Sequence, residues 1–293
     1  MKRCFLMMFF IGCTTSLFAQ DNKDEFVDGA FVLKGVTGMN MSQTALSNWS
    51  AGGENSFAGN AYLNGSLTRK SGHWLWQSTL ALDYGLSKTK SQGTRKATDK
   101  IDFATQLGYT TNDKWFYTAM ADFKSQFDNG YNYPDNENYI SKFMAPGYSN
   151  LSLGMEYRPK PNFSFYLSPA AGKLTFVQDD FLSAQGAFGV TPGDKLKAEL
   201  GAYFKARGET DIMENVHLVS TLDFFTAYDK SFGNVDVNWD LLLSMKINKY
   251  LSATINTTLK YDNDVKTIDA DGNKRGPKIQ FKEVLGVGLA YNF

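Results

Sequence analysis

The sequence predicts an all-β fold: a transmembrane, antiparallel, up-and-down β-barrel of about twelve strands. Three observations point to it. Apolar residues recur at every second position, not every third or fourth. The stretches between these segments alternate between short and long. After the first twenty residues, no apolar run approaches the ~20 residues that a membrane helix needs.

Residues 1–20, "MKRCFLMMFFIGCTTSLFAQ", read as a signal peptide. Lys2 and Arg3 supply the positive start, Phe5 to Ile11 a short apolar stretch, and cleavage is expected near Ala19-Gln20. Residues 21–293 then form one barrel domain. Cys4 and Cys13, the chain's 2 cysteines, both lie in the leader. The mature chain therefore has no thiol for disulfides, thiolate catalysis or cysteine metal sites. A lipoprotein-type leader ending at Cys13 is the alternative, and its apolar stretch would be very short. The chain carries 30 basic and 30 acidic residues. That balance argues against nucleic acid as a partner, because such domains usually carry a basic surplus.

The clearest alternating segment is "HWLWQSTLALDYGL". Trp74, Trp76, Leu80, Leu82, Tyr84 and Leu86 share one face, and His73, Gln77, Thr79, Asp83 and Gly85 the other. "KLKAELGAYFKAR" and "VDVNWDLLLSMKI" repeat the design. Similar segments run near 31–42, 55–68, 99–111, 114–128, 147–158, 162–170, 213–229, 250–264 and 279–293. Short connections such as "RKSGH", "TTND", "RPKPN" and "NKY" alternate with long ones. The long ones include "SKTKSQGTRKATD", "DNGYNYPDNENYISKFMAPG" and the stretch from about Pro169 to Lys195. Outer-membrane barrels have short periplasmic turns and longer external loops. A secreted β-sandwich alternates as cleanly but gives no reason for sorted loop lengths. Aromatics also sort by depth: Trp74, Trp76, Tyr109, Trp115, Tyr117, Tyr157 and Phe163 lie near short turns, and Tyr84, Trp239 and Tyr261 towards long loops.

The terminal strand "EVLGVGLAYNF" places Leu285, Val287, Leu289, Tyr291 and Phe293 on one face. Val287, Leu289, Tyr291 and Phe293 form the pattern expected of an assembly signal for the outer-membrane machinery. Gly286, Gly288 and Ala290 are expected to face inward, leaving space in the lumen or letting a plug approach. The phrases around Asn48-Trp49, Ala145-Pro146-Gly147 and Gln280-Phe281-Lys282 resemble an uncharacterised outer-membrane β-barrel family of Gram-negative bacteria, a domain of unknown function. The resemblance runs from about residue 30 to the end. It implies location and architecture, and no catalytic residue, cofactor or substrate.

Candidate chemistry is confined to the polar face. Lys195, Lys197, Glu199, Lys205, Arg207, Asp223, Asp236 and Asp240 are the principal expected lumen charges, with Lys100, Asp102, Asp122, Lys124, Glu156, Lys246 and Lys282 among the others. Both signs are abundant, which suits cross-lumen ion pairs better than a selectivity ladder of one sign. His73 and His217, the chain's 2 histidines, are both expected at the short-turn end, away from the external rim where a barrel hydrolase would work. Asp262, Asp264, Asp269 and Asp271 echo a calcium loop without its full spacing. These readings point to a narrow channel or small-solute uptake barrel, not an enzyme. The alternative is a scaffold barrel that partners lipoproteins or other barrels through its aromatic loops.

Overall fold

Period-two alternation builds strands whose side chains point to opposite faces. The computed structural model describes residues 28–293 apart from 48–49, 52, 111, 230, 249 and 266–275. Residues 1–27, which include the expected leader with Cys4 and Cys13, and Asn48-Trp49 lie outside the described residues. In chain order the strands are β1 (Phe31–Thr44), β2 (Ser56–Ser71), β3 (Trp74–Thr89), β4 (Gly93–Thr110), β5 (Trp115–Ser125), β6 (Gly130–Tyr131), β7 (Tyr139–Ser141), β8 (Gly147–Lys160), β9 (Phe163–Phe176), β10 (Leu196–Met213), β11 (Val216–Ala227), β12 (Asp236–Lys246), β13 (Leu251–Tyr261) and β14 (Gln280–Asn292). β6 and β7 pair only with each other, as a small hairpin within a long loop. The other twelve close into an antiparallel barrel in the order β1-β14-β13-β12-β11-β10-β9-β8-β5-β4-β3-β2.

The outer face is apolar. Leu33, Leu107, Leu153, Leu167, Leu200 and Leu285 are 44–68% exposed, a band that suits lipid and not water. Rings cluster near the short turns, with Trp74 and Tyr109 centroids 5.0 Å apart and Trp115 and Tyr157 4.6 Å apart. Near the long loops Tyr84 meets Phe127 edge-on at 6.3 Å. Two outward tryptophans satisfy their N–H groups within the wall. Trp76 Nε1 donates to Thr105 Oγ1 and Trp239 Nε1 to Ser220 Oγ, each at 3.0 Å.

Two expectations about strand extent are corrected. β3 and β4 run through most of "SKTKSQGTRKATD" and leave only residues 90–92 between them, because Ser87, Lys88 and Thr89 continue the pairing with Arg95, Thr94 and Gly93. The strand expected over 162–170 continues to Phe176. A bulge shifts its register near Ser168–Ala170 and absorbs Pro169, so the alternation resumes out of phase.

The closing seam explains the glycines of the last strand. Val36 to Asn40 pair with Asn292 to Gly288, and Gly35 and Phe293 exchange backbone hydrogen bonds of 2.8 and 2.9 Å. A Cβ on Gly288 would collide with the Met39 carbonyl oxygen, and one on Gly38 would lie 2.5 Å from the Leu289 carbonyl oxygen. These glycines therefore let two backbones approach, and do not leave space in the lumen as expected. Gly288→Val should weaken closure by at least about 1–3 kcal/mol, the usual range for overpacking. The check is heat-modified gel mobility, where the variant's folded band should disappear at a lower temperature than the wild type's.

Candidate functional site

Inward positions of the wall carry amides, hydroxyls and charges of both signs. They line a cavity of about 730 Å³. It begins at the short-turn rim, among Asp211, Asn215 and Lys246, and rises to Lys100, Lys124, Asp223 and Asp240.

There the lumen is crossed by a polar belt. Lys100 Nζ on β4 lies 3.5 Å from Asp240 Oδ1 on β12 and 3.5 Å from Asp102 Oδ2 beside it. From β12 through β11, β10, β9, β8 and β5 to β4 is six steps round a ring of twelve, so these strands are diametrically opposite. A lysine and an aspartate cannot bridge a circular barrel of this strand number, because diameter grows with strand count. The section is therefore pressed together along the β4–β12 axis. Asp240 also accepts from Thr258 Oγ1 at 2.7 Å and Asn238 Nδ2 at 3.0 Å. Asp223 accepts from Tyr203 OH at 2.6 Å and Asn238 at 3.2 Å, with Lys124 Nζ 3.6 Å away. Charges in such a place must be paired and hydrogen-bonded, and these are.

Ion pairs continue on either side of the belt. Towards the long loops, Lys173 Nζ lies 2.6 Å from Asp236 and 3.0 Å from Asp262. Lys197 joins Glu199 at 2.9 Å and also pairs with Asp264. Towards the short turns, Arg207 pairs with Glu209 at 2.9 Å, and His217 meets Asp211 at 2.8 Å and Glu209 at 3.3 Å.

Of the principal expected lumen charges, Arg207, Lys205, Asp223 and Asp240 line the cavity, and Lys197, Glu199 and Asp236 belong to the ion pairs above it. Lys195 is a correction. It precedes β10 and pairs with exposed Asp180 at 2.7 Å, outside the lumen. Lys173 went unread because Pro169 and Gly172 look like the end of a strand. Alternation puts Tyr203 and Asn238 on the polar face of their strands, but a neutral side chain gives no sign along the chain of the carboxylate it will meet, and Thr258 is the same case. Val287, Leu289 and Tyr291 stand exposed on the outer face and Phe293 is 37% exposed. Asp262 and Asp264 are engaged by lysines, and Asp269 and Asp271 lie outside the described residues. Among the described residues, no group of three or more His, Cys, Asp or Glu side chains could hold a metal ion.

The long loops pack on each other above the barrel. Ala145, Val177, Leu182 and Val190 form a buried cluster, with Tyr139, Ala187 and Phe188 against it. Asp179 ties it together. It accepts from Leu182 N at 2.9 Å, capping the short helix α1 (Asp180–Ala184), from Tyr139 OH at 3.1 Å and from Lys142 Nζ at 2.6 Å.

Residues 41–131 match the family described as "Protein of unknown function (DUF3078)". This is a shorter stretch than the resemblance read from the sequence. No curated protein matches the chain. Several solved structures are similar at low identity. The COG4313 outer membrane channel from Pseudomonas putida F1 has 12% identity and a TM-score of 0.41, over 94% of this chain and 100% of that one. The translocator domain of autotransporter NalP from Neisseria meningitidis has 9% identity and a TM-score of 0.38, over 92% and 90%. The NanC porin has 9% identity and a TM-score of 0.38, over 87% and 98%.

The loop clamp has a pH dependence of definite sign. Burial pushes the Asp179 carboxyl up, but Lys142, the Leu182 N–H and the Tyr139 hydroxyl outweigh it and hold it below its usual value. A carboxyl held low in the folded chain stabilises the clamp above its unfolded pKa, and the stabilisation is lost as pH falls through the folded value. Pepsin cleavage within residues 139–146 and 177–194 should therefore rise as pH drops below about 4, the ordinary aspartate range. Asp179→Asn should be cleaved readily above that range too; identical profiles for the two proteins would show that the clamp does not hold the loops.

Proposed function

We propose that this chain is a narrow channel or small-solute uptake barrel of the Gram-negative outer membrane, exported with a cleaved leader. The supporting observation is the shape of the lumen. A cavity of about 730 Å³, lined by charges and amides together with apolar groups, reaches from the short-turn rim to the Lys100–Asp240 belt. Such a half-channel is filled from the periplasmic side and closed in the middle. The belt is a row of ion pairs and hydrogen bonds between opposite walls, so separating the walls or neutralising the belt opens the axis. The mixed charge of the lining, with Lys100, Lys124 and Lys205 facing Asp122, Asp223 and Asp240, suits small zwitterionic or neutral polar solutes better than ions of one sign.

This reading includes no enzyme activity and no cofactor. Asp211 and Glu209 hold both ring nitrogens of His217, which leaves neither free to act as a base. The outward row Val287, Leu289, Tyr291 and Phe293 serves recognition by the outer-membrane assembly machinery. A scaffold role, with lipoproteins or other barrels as partners, has one favouring observation: Ile140, Phe143 and Phe181 remain 42–52% exposed on the loop cluster.

Planar-bilayer recording tests the channel. Wild-type protein should show small, infrequent openings, and the double variant Lys100→Ala with Asp240→Ala should show unitary conductance several times larger. Removing Asp240 with Lys100 keeps the belt's net charge unchanged and does not leave Asp240 without its lysine, and Asp102 keeps Lys124 as its cross-strand neighbour. A double variant that inserts and folds yet stays silent would remove the belt from any gating role.

A further inference from the structure

Among the described residues, the wall is incomplete where the first strand meets the last. β1 pairs with β2 along its whole length, from Phe31–Arg69 to Thr44–Ser56. β14 pairs with β13 from Leu289–Leu251 to Gln280–Lys260. Yet β1 and β14 pair with each other only from Val36–Asn292 to Asn40–Gly288. The positions that would continue this register, from Met41 opposite Val287 to Thr44 opposite Val284, are not paired. Exposure agrees independently. Met41 to Thr44 are exposed on both faces, whereas Asn40 is only 6% exposed; across the split Leu285 and Val287 are exposed outward, while Val284 and Gly286 on the inner side are half-buried and buried. β2 and β13 still rise on either side, so this is a split in the wall and not its upper rim.

The split meets the lumen. A small pocket of about 30 Å³ lies just inside it, lined by Asn40 and Val284. The pocket shares Asn64, Ala81, Lys100, Leu242 and Asn256 with the large cavity. The two spaces are therefore neighbours, and they meet beside the belt that blocks the axis. Asn40 stands in the doorway. Its Nδ2 donates to Asn60 Oδ1 at 3.1 Å, and a Cβ on Gly286 would lie 2.5 Å from its Cγ. Its Oδ1 is buried with no hydrogen-bond partner, and a buried acceptor in that condition favours a donor. On the outside, Met41, Leu285 and Val287 are 52–68% exposed and apolar.

We propose that the β1–β14 seam is a lateral portal through which an amphiphile, with one apolar chain and a small polar head, passes between the lumen and the membrane half nearer the long loops. The polar head enters at Asn40 and the amide-lined pocket, and the apolar chain lies along Met41, Leu285 and Val287. Backbone groups facing lipid without partners are costly. The seam therefore opens where a polar head and the aqueous lumen can reach them, and it widens by parting strands whose pairing is already short. This goes beyond axial conduction and does not require it.

The test bridges the seam. The mature sequence has no cysteine, so Gln43→Cys with Leu285→Cys places two thiols on the outer face at positions that continue the register. A short bis-maleimide then ties the strands together. The probe is doxyl-labelled stearic acid, read by the immobilised fraction of its electron spin resonance spectrum with protein in nanodiscs. The unbridged protein should immobilise the probe, and bridging should reduce that fraction severalfold. A control bridge between Leu33→Cys and Leu67→Cys, which face each other in a fully paired part of the wall, should leave it unchanged. Equal immobilisation with and without the seam bridge, or none by the unbridged protein, would overturn the portal. Conductance of the belt variant reads the axis alone, so its failure and the portal's failure are separate results.

Discussion

Closure of the backbone hydrogen-bond ladder is the constraint from which the rest of this structure follows. A strand in lipid has no water to satisfy its N–H and C=O groups, so each must find a partner in the wall. The chain meets this by bringing its last strand to its first. Gly38 and Gly288 make the approach possible, since a Cβ on either would meet the opposite backbone. Once the ring is closed, alternation decides everything radial, with one residue to lipid and the next to the lumen. The outward row of leucines and the inward row of charges are two readings of one pattern. The seam is also where the ladder is shortest, with pairing confined to Val36–Asn40 and Gly288–Asn292.

The lumen follows a second rule, that charges removed from water must be paired. Twelve strands enclose more space than side chains of neutral size would fill, yet less than an open porin. The chain resolves this by flattening, so that Lys100 reaches Asp240 from the opposite wall. Neutral groups complete the arrangement: Thr258, Asn238 and Tyr203 supply donors that Lys100 and Lys124 do not. Lys173 and Lys197 then engage Asp262 and Asp264 beyond the end of β13. The ion pairs of the upper lumen thus also anchor part of a loop.

The loops show why surface composition is a poor guide to use. Read along the chain, Tyr139 fits either a recognition surface or loops that pack on each other, and Val177, Leu182 and Phe188 fit a plug, a rim or a partner contact; in the fold they mostly bury one another. Asp179 joins a helix cap, a tyrosine and a lysine from a distant loop, and no spacing rule brings Asp179 and Lys142 together. His217 is similar. Its place near the short turns was legible from alternation, but its two carboxylate neighbours were legible only in part, because Asp211 lies across a tight turn and Glu209 two residues further back.

By itself, the sequence determined the strand class, the number of strands, the inner and outer faces and the end of the barrel where the short turns lie. All of these follow from period-two alternation and loop length, which are local properties. Lys205, Arg207, Asp223 and Asp240 were placed in the lumen by the same local rule. Lys195 was misplaced, since alternation does not say where a strand begins. Lys173 was passed over, since a bulge changes phase without announcing itself. Only the tertiary structure decided which charges meet across the lumen and where the β1–β14 pairing stops. Cross-lumen pairs join strands that are opposite in the ring and far apart in the chain, and the β1–β14 pairing joins its two ends. Such contacts depend on how far apart two walls come to rest, a distance set by the whole barrel and by no segment of it.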